Sequence, residues 1–406
     1  MDLTNRKIFK LKGKVQPYAW GGHEFIPKLL GQQPGQQPAA EYWLGAHDLA
    51  PAEVLDNGQT ITLNRLIAEH PAETIGKSVH KVFGRLPYLL KILDVKDMLS
   101  IQVHPSKLAA EQEYARENQE GIAPDDPKRN YKDDNHKPEL MLALNDFWLL
   151  HGFKSKDQLR EVLRNVPEFI HLVAVFEQSG YEGLYAYIMQ MPQEEVNRTL
   201  QPLLDRIIPL YEEGRLNRSQ EDFWAARAAL TYNSNDNIDR GIFSIYLLNL
   251  VGLKKGEAVF QEAGILHAYL EGQNVEIMAN SDNVLRGGLT PKNVDIGELM
   301  KHVRFEPVDP WIIQGTVENE ERVYKTPVDD FQLSAFNLPE GGVGEFEPGT
   351  ADIIIVLSGK VELQNGEEQI ALNAGESAVA FPGQSIQLRA AAPSEVCRAT
   401  VPVHSA

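Results

Sequence analysis

Three short strings carry side chains able to hold a metal ion, an anion or a mobile proton: LSIQVHPSK at 99–107, YKDDNHKPELMLAL at 131–144 and HAYLEGQNVEIMANSDNVLRGGLTPK at 267–292. In the first, Ser100, Gln102 and His104 alternate with Leu99, Ile101 and Val103. An extended strand would put the polar three on one face and the apolar three on the other, until Pro105 ends the ladder. In the second, Pro138 biases Lys137 toward extended backbone and sends Lys137 and Glu139 to the same side, with His136 just before them. Taken singly, such groups also fit a solvated face or a surface ion pair. In the third, His267 falls at the end of a predicted strand, Glu276 lies in a later extended run, and Asp282 and Arg286 alternate with Val284 between them. Extended backbone would place that acid and that guanidinium on one face, and Gly287 and Gly288 would let a ligand or backbone approach Arg286 closely. Arginine is always charged and forks onto carboxylates and phosphates, so Arg286 reads either as an anion clamp or as the structural partner of Asp282.

Gln102, His104, Glu139 and His267 together make a set of two imidazoles and two oxygen donors. Zinc accepts that mixture, and iron or manganese would also be possible on ligand type alone. With one carboxylate the centre stays net positive, suited to polarising a hydroxyl or carbonyl and to stabilising an oxyanion.

The elements that must position these groups follow from the rhythm of the chain. Up to about residue 153, short apolar runs such as LPYLLKILDV and ELMLAL alternate with Gly, Pro, Asn and Asp, which reads as β-rich. From about Ser155 to Tyr232 the spacing becomes helical, as in KDQLREVLRNV and EEVNRTLQPLLDRIIPLYEEG. Strand-like sequence then returns at GIFSIYLLNLVGL and continues to the C-terminus, so the helices form an insertion between β-rich regions. The run GQQPGQQP at 31–38 reads as a loop expansion. An internal repeat marks two barrels. LKKGEAVFQEAGILH at 253–267 aligns without gaps on LNAGESAVAFPGQSI at 372–386, matching Gly256 to Gly375, Glu257 to Glu376 and Gly264 to Gly383. Both copies are strand, turn, strand units of the jelly-roll kind. His267 of the first copy is Ile386 in the second, so the C-terminal barrel is expected to bind no metal.

Composition sets the limits. The 406 residues, 43% hydrophobic, call for more than one packed domain. Acidic residues outnumber basic ones 57 to 39, for a formal charge of −18, which disfavours nucleic acid and anionic membrane surfaces as partners. A single cysteine, Cys397, excludes an intrachain disulfide and a Cys-rich metal site. The opening MDLTNRKIFKLKG lacks the apolar core of a secretory signal, so a cytoplasmic protein is expected.

The strings QVHPSK, YKDDNHKPEL and HAYLEGQNVEIMANSDNVLRGGLTPK resemble the signatures of the type I mannose-6-phosphate isomerases, zinc-dependent members of the cupin superfamily. The resemblance extends to YAWGG at 18–22, AEYWLGAHD at 40–48, LPYLLKILDV at 86–95 and the order of the parts. It implies a mostly β fold with a helical insertion: a metal-binding cupin domain at 1–153 and 240–319, a helical domain at 154–239, and a second jelly-roll barrel at 320–406. It implies one Zn2+ per chain on Gln102, His104, Glu139 and His267, and Arg286 as the catalytic arginine. Lys137 and His136 match residues implicated in catalysis and proton transfer; Glu276 is a further candidate base, and Asp282 a further catalytic candidate. Lys91, Ser100 and Lys292 fall where the family binds the substrate phosphate or assists ring opening. The implied reaction interconverts mannose 6-phosphate and fructose 6-phosphate through a cis-enediol, with the sugar phosphate as small-molecule partner and the chain a monomer. Two other readings are a redox-iron cupin such as a dioxygenase, and a non-catalytic, metal-containing sugar-sensing barrel. No Gly-rich nucleotide loop near the N-terminus suggests a fused nucleotidyl transferase.

Overall fold

The computed structural model describes residues 3, 6–234 and 236–402. The last four residues of the expected C-terminal barrel, most of the opening MDLTN and one residue of the NSNDNID tract lie outside the described residues.

Two β structures stand back to back, with a helical block on one side of the first. The first is an eleven-stranded sheet in which the long His267–Ala279 strand is the hub. Its C-terminal half pairs antiparallel with Tyr88–Val95 on one side and with Glu139–Ala143 on the other. Its start pairs with Phe147–Phe153 and with the two-residue strand Gln102–Val103. Because side chains alternate across a strand, Tyr88–Val95 is divided between two cores. Leu90 and Ile92 face the second sheet, where they meet Ile277, Leu140, Ile353, Ile355 and Val379. Leu93 and Val95 face inward with Met141, Phe147, Leu149 and Tyr269. A strand buried on both faces has to be apolar almost throughout, which is why LPYLLKILDV shows little alternation. Lys91, on the inner face, is the exception and has to be answered by the site.

The second structure is a nine-stranded sheet closed over a four-stranded one around Ile354, Val356, Leu363, Ile386 and Leu388. It is built from both ends of the chain: Ile8–Lys12 is inserted between Ser377–Ala380 and Glu53–Asp56. The two aligned turns share their chemistry. Gly256 and Gly375 have φ of 86° and 81°, and Gly264 and Gly383 also lie at positive φ, where a Cβ is disfavoured. Glu257 accepts from the Lys254 N–H at 2.8 Å, as Glu376 accepts from the Asn373 N–H at 2.7 Å. Ile386, the counterpart of His267, is fully buried in the apolar core of the second barrel.

Helices Lys156–Asn165, Ile170–Gln190, Gln193–Glu212 and Glu221–Tyr232 form the inserted block. Ser155 and Gln158 cap the first of them reciprocally. The strand expected over GIFSIYL is instead a helix, Gly241–Leu247, and the strand is confined to Leu248–Leu253. Every residue of GIFSIYL is buried, and an apolar run with no polar face carries no period that separates helix from strand. The N-terminal β-rich region also contains helices, among them Leu63–Glu69, Lys77–Phe83 and Lys107–Gln119. GQQPGQQP is an exposed loop. Among the described residues no helix is long and apolar enough to cross a membrane.

Candidate active site and metal centre

The sheet register builds the site. Directly paired residues of an antiparallel ladder share a face. His267 is paired with both His151 and Gln102, and Gln102 in turn with Arg286, so the four make one row across four strands. A second row runs Trp43, Lys91, Glu276 across three strands. The two rows meet at Glu139, in a cavity of about 60 Å3 lined by Glu41, Lys91, Gln102, Lys137, Glu139, His267, Tyr269 and Glu276.

His104, Glu139 and His267 each present a ligand atom, all within 4.8 Å of one another, and all three are buried. Glu139 lies between the imidazoles, Oε1 3.5 Å from His104 Nε2 and Oε2 3.4 Å from His267 Nε2. Each ring is oriented from behind: Nδ1 of His104 donates to the Asn283 carbonyl at 2.7 Å and Nδ1 of His267 to the Ile265 carbonyl at 2.9 Å. That fixes the tautomer with Nε2 as the free acceptor, the form a metal requires. Burial pushes His104 down to about 4 and so keeps it neutral. Burial alone would raise Glu139, but Lys137 and His104 hold it well below the usual carboxylate range. His104 Nε2 has no hydrogen-bond partner although it is buried. An orphan acceptor beside a carboxylate and a second imidazole, with Gln102 on the cavity wall, fits a divalent cation and suits zinc in particular.

The cations around this centre divide into paired and unpaired. Lys137 Nζ is 3.3 Å from Glu139 Oε1, the same-side placement that the Lys-Pro-Glu spacing predicts. Lys91 Nζ is held 3.2 Å from Glu276 and 3.5 Å from Glu41, over the ring of Trp43. Burial alone would lower Lys91, but Glu41, Glu276 and Glu139 raise it, so it stays charged. Glu276 is pushed up by burial and then by Glu139. Arg286, by contrast, has no carboxylate within ion-pair distance among the described residues, and burial alone holds it below its ordinary range. Lys292, on the exposed loop beyond it, is lowered by loss of solvent and by the charge of Arg286. Two neighbouring cations without a protein anion form a ready anion site.

Three sequence expectations need correction. Asp282 does not share a ladder with Arg286, because the strand covers only Leu285 and Arg286. The Asp282 carboxylate instead meets His47 Nε2 at 3.3 Å, and its N–H is taken by Asp133. The ladder in LSIQVHP is likewise limited to Gln102 and Val103. Ser100 precedes it, between Leu99, bonded to the Tyr269 carbonyl, and Ile101, bonded to Gly288. His136 is not brought to the cavity; its Nε2 lies 3.1 Å from both oxygens of Asp330 in the C-terminal region. Sequence reasoning missed Glu41 and Tyr269 as cavity walls, Trp43 as the ring beneath Lys91, and His47 as the partner of Asp282. The one available signal was Glu41, a lone charge in the otherwise apolar strand EYWLG.

Comparison with known proteins agrees with this geometry. Residues 8–156 match the family model described as phosphomannose isomerase type I, catalytic domain. The mannose-6-phosphate isomerase of Salmonella typhimurium is 38% identical over 379 residues, covering 91% of this chain and 93% of that protein. The human mannose-6-phosphate isomerase is 32% identical over 426 residues, covering 96% and 97%. Among solved structures, the Salmonella typhimurium enzyme bound to fructose 6-phosphate and zinc superposes with a TM-score of 0.88 at 34% identity, over 98% of this chain and all of that one. By sequence, fold and the constellation in its cavity, the chain belongs to the type I phosphomannose isomerase family.

Proposed function

We infer that the protein catalyses the reversible isomerisation of mannose 6-phosphate and fructose 6-phosphate as a zinc-dependent enzyme. The observation that carries this is the convergence of His104, Glu139 and His267 in a buried cavity, with the unpaired cation Arg286 in register with Gln102. The listening role of a non-catalytic sugar sensor would leave that placement without a use, and the family relatives are isomerases.

Gln102, His104, Glu139 and His267 would hold the metal. When bound, zinc supplies Lewis-acid polarisation of substrate oxygens. The chain's own residues do the rest. Arg286 stabilises the negative charge that develops on the enediolate oxygens, a role for which a preorganised cation lacking a protein anion is suited. Lys137 and Glu276 handle the proton that leaves C2 and returns at C1, since both line the cavity. Lys91 keeps Glu276 and Glu41 from facing each other uncompensated. Lys292 receives the substrate phosphate together with Arg286, and Ser100, on the loop bonded to Gly288, assists there. Asp282, steadied by His47, serves ring opening, whereas His136, held on Asp330 away from the cavity, supports the neighbouring Lys137 from outside it rather than handling the substrate proton.

In this reading the residues of 1–153 and 240–319 form the catalytic unit, 154–239 the helical unit and 320–406 the second barrel, which borrows Ile8–Lys12 from the N-terminus. The protein works as a cytoplasmic monomer. The test is a coupled assay of mannose 6-phosphate conversion on purified protein, before and after chelation and with zinc restored. Activity lost on chelation and regained with zinc is expected. A folded, zinc-loaded protein without turnover would overturn the reading.

A further inference from the structure

Arg286 sits on a loop whose shape is imposed from the helical block. Gly288 lies at φ 125° and Leu289 at φ 53°, conformations that L side chains rarely adopt and that external contacts must hold. The contacts come from Asp239, in the segment that leaves the block. Its Oδ1 accepts from the Gly241 N–H at 2.7 Å and the Leu289 N–H at 2.9 Å, and its Oδ2 from the Thr290 N–H at 3.2 Å. With three N–H donors taking its oxygens, this carboxylate holds the Arg286 loop by the backbone and leaves the guanidinium free for substrate.

Asp239 is itself anchored. Its N–H donates to Asn233 Oδ1, and next to it Ile238 is bonded through both N–H and carbonyl to Asn197 and Gln193 of the Gln193–Glu212 helix. The packing around the contact is tight. A Cβ on Gly241 would lie 2.6 Å from Leu289 N, one on Gly288 would lie 2.5 Å from Gly241 Cα, and one on Gly287 would lie 2.7 Å from the Tyr185 hydroxyl of the Ile170–Gln190 helix. The same block grips the other arm of the site: the Tyr232 hydroxyl donates to the Met98 carbonyl, just before Gln102 and His104.

We propose that Asp239 is a positioning residue for the isomerase reaction: it acts through the Gly288–Thr290 backbone to set Arg286 against the substrate, and the helical block exists in part to hold it there. The inference rests on the reading of Arg286 given above. The test compares wild type, Asp239→Ala, Asp239→Asn, Arg286→Ala and the Asp239→Ala/Arg286→Ala double variant as zinc-loaded, full-length proteins, measuring kcat, KM and zinc content. A displaced guanidinium should lower kcat about 10- to 100-fold in Asp239→Ala, by more than KM changes, with zinc content unaltered. Asp239→Asn retains one acceptor oxygen and should fall between. In the Arg286→Ala background, Asp239→Ala should add no further loss, because both changes remove the same interaction. Losses that multiply, or a kcat for Asp239→Ala within about twofold of wild type, would overturn the proposal. Gly241→Ala crowds the same loop without altering the carboxylate and should also lower kcat with zinc retained; if Asp239→Ala does not fold, Gly241→Ala and Asp239→Asn decide. An Arg286→Ala enzyme of wild-type kcat would overturn the reading of Arg286 itself and this inference with it.

Discussion

Replacing Arg286 by alanine should cost the enzyme its turnover and none of its stability. The guanidinium is partly buried, has no carboxylate within ion-pair distance among the described residues, and is held below its ordinary range by loss of solvent alone. It therefore brings a desolvation cost to the folded state with no protein charge to offset it. In the reaction, a unit cation about 4 Å from a developing oxyanion contributes roughly 4 kcal/mol at the effective dielectric of a partly exposed site. At about 1.4 kcal/mol per factor of ten that sets a ceiling near 10³ in rate, and loss of one such donor commonly costs about 10²–10³ in kcat. Arg286→Ala should accordingly lose about 10²–10³ in kcat, keep its zinc, and melt at or above the wild-type temperature. Steady-state kinetics, metal analysis and thermal unfolding on one preparation check all three. A kcat within about tenfold of wild type would remove Arg286 from the stabilisation of the intermediate. A clear drop in melting temperature would show that it has a structural partner after all.

Other substitutions test the neighbouring groups. Lys91→Met leaves Glu41 and Glu276 buried without their cation and should destabilise the protein by about 3–5 kcal/mol in denaturant unfolding, with part of the loss recovered in Lys91→Met/Glu276→Gln; equal stability of single and double variants would refute the pairing. Lys292 is shifted below the ordinary lysine range, so it loses its charge at lower pH than a free lysine would. The KM for sugar phosphate should therefore begin to rise below that range on the alkaline side. Lys292→Arg, which stays charged, should abolish that limb, and an unchanged profile would count against Lys292 as a phosphate ligand. The two aligned turns should respond unequally to alanine. Gly256 has open space around it, so Gly256→Ala meets only the left-handed strain of about 1–2 kcal/mol. In Gly375→Ala the new Cβ would lie 1.8 Å from the Leu29 carbonyl, and the loss of stability should be much larger.

How far the sequence could be read depended on whether the partners were local. Gln102, His104, Glu139 and His267 stood out as polar residues set among apolar ones; the ladder pairs Gln102 with His267, while His104 lies just past the Gln102–Val103 strand and Glu139 begins a neighbouring one. The two barrels were legible from glycines whose positive φ the repeat preserves. The expected pairing of Asp282 with Arg286 failed because its partner, His47, lies just after the Glu41–Gly45 strand, far away in sequence, which no spacing rule can supply. His136 was drawn off by Asp330 for the same reason. GIFSIYL was read as strand because burial on every side erases the period that would have marked it as helix. The use of the helical block was hidden altogether, since Asp239 acts through backbone N–H groups that any residue at 289 or 290 except proline would offer.

The central claim is tested most directly by titrating zinc into the chelated protein while following mannose 6-phosphate conversion and bound metal together. Activity should rise in proportion to zinc and level off at one equivalent per chain, with His104→Ala and His267→Ala failing to take up that equivalent. Full turnover in metal-free protein, or activity that requires a second equivalent, would contradict the account.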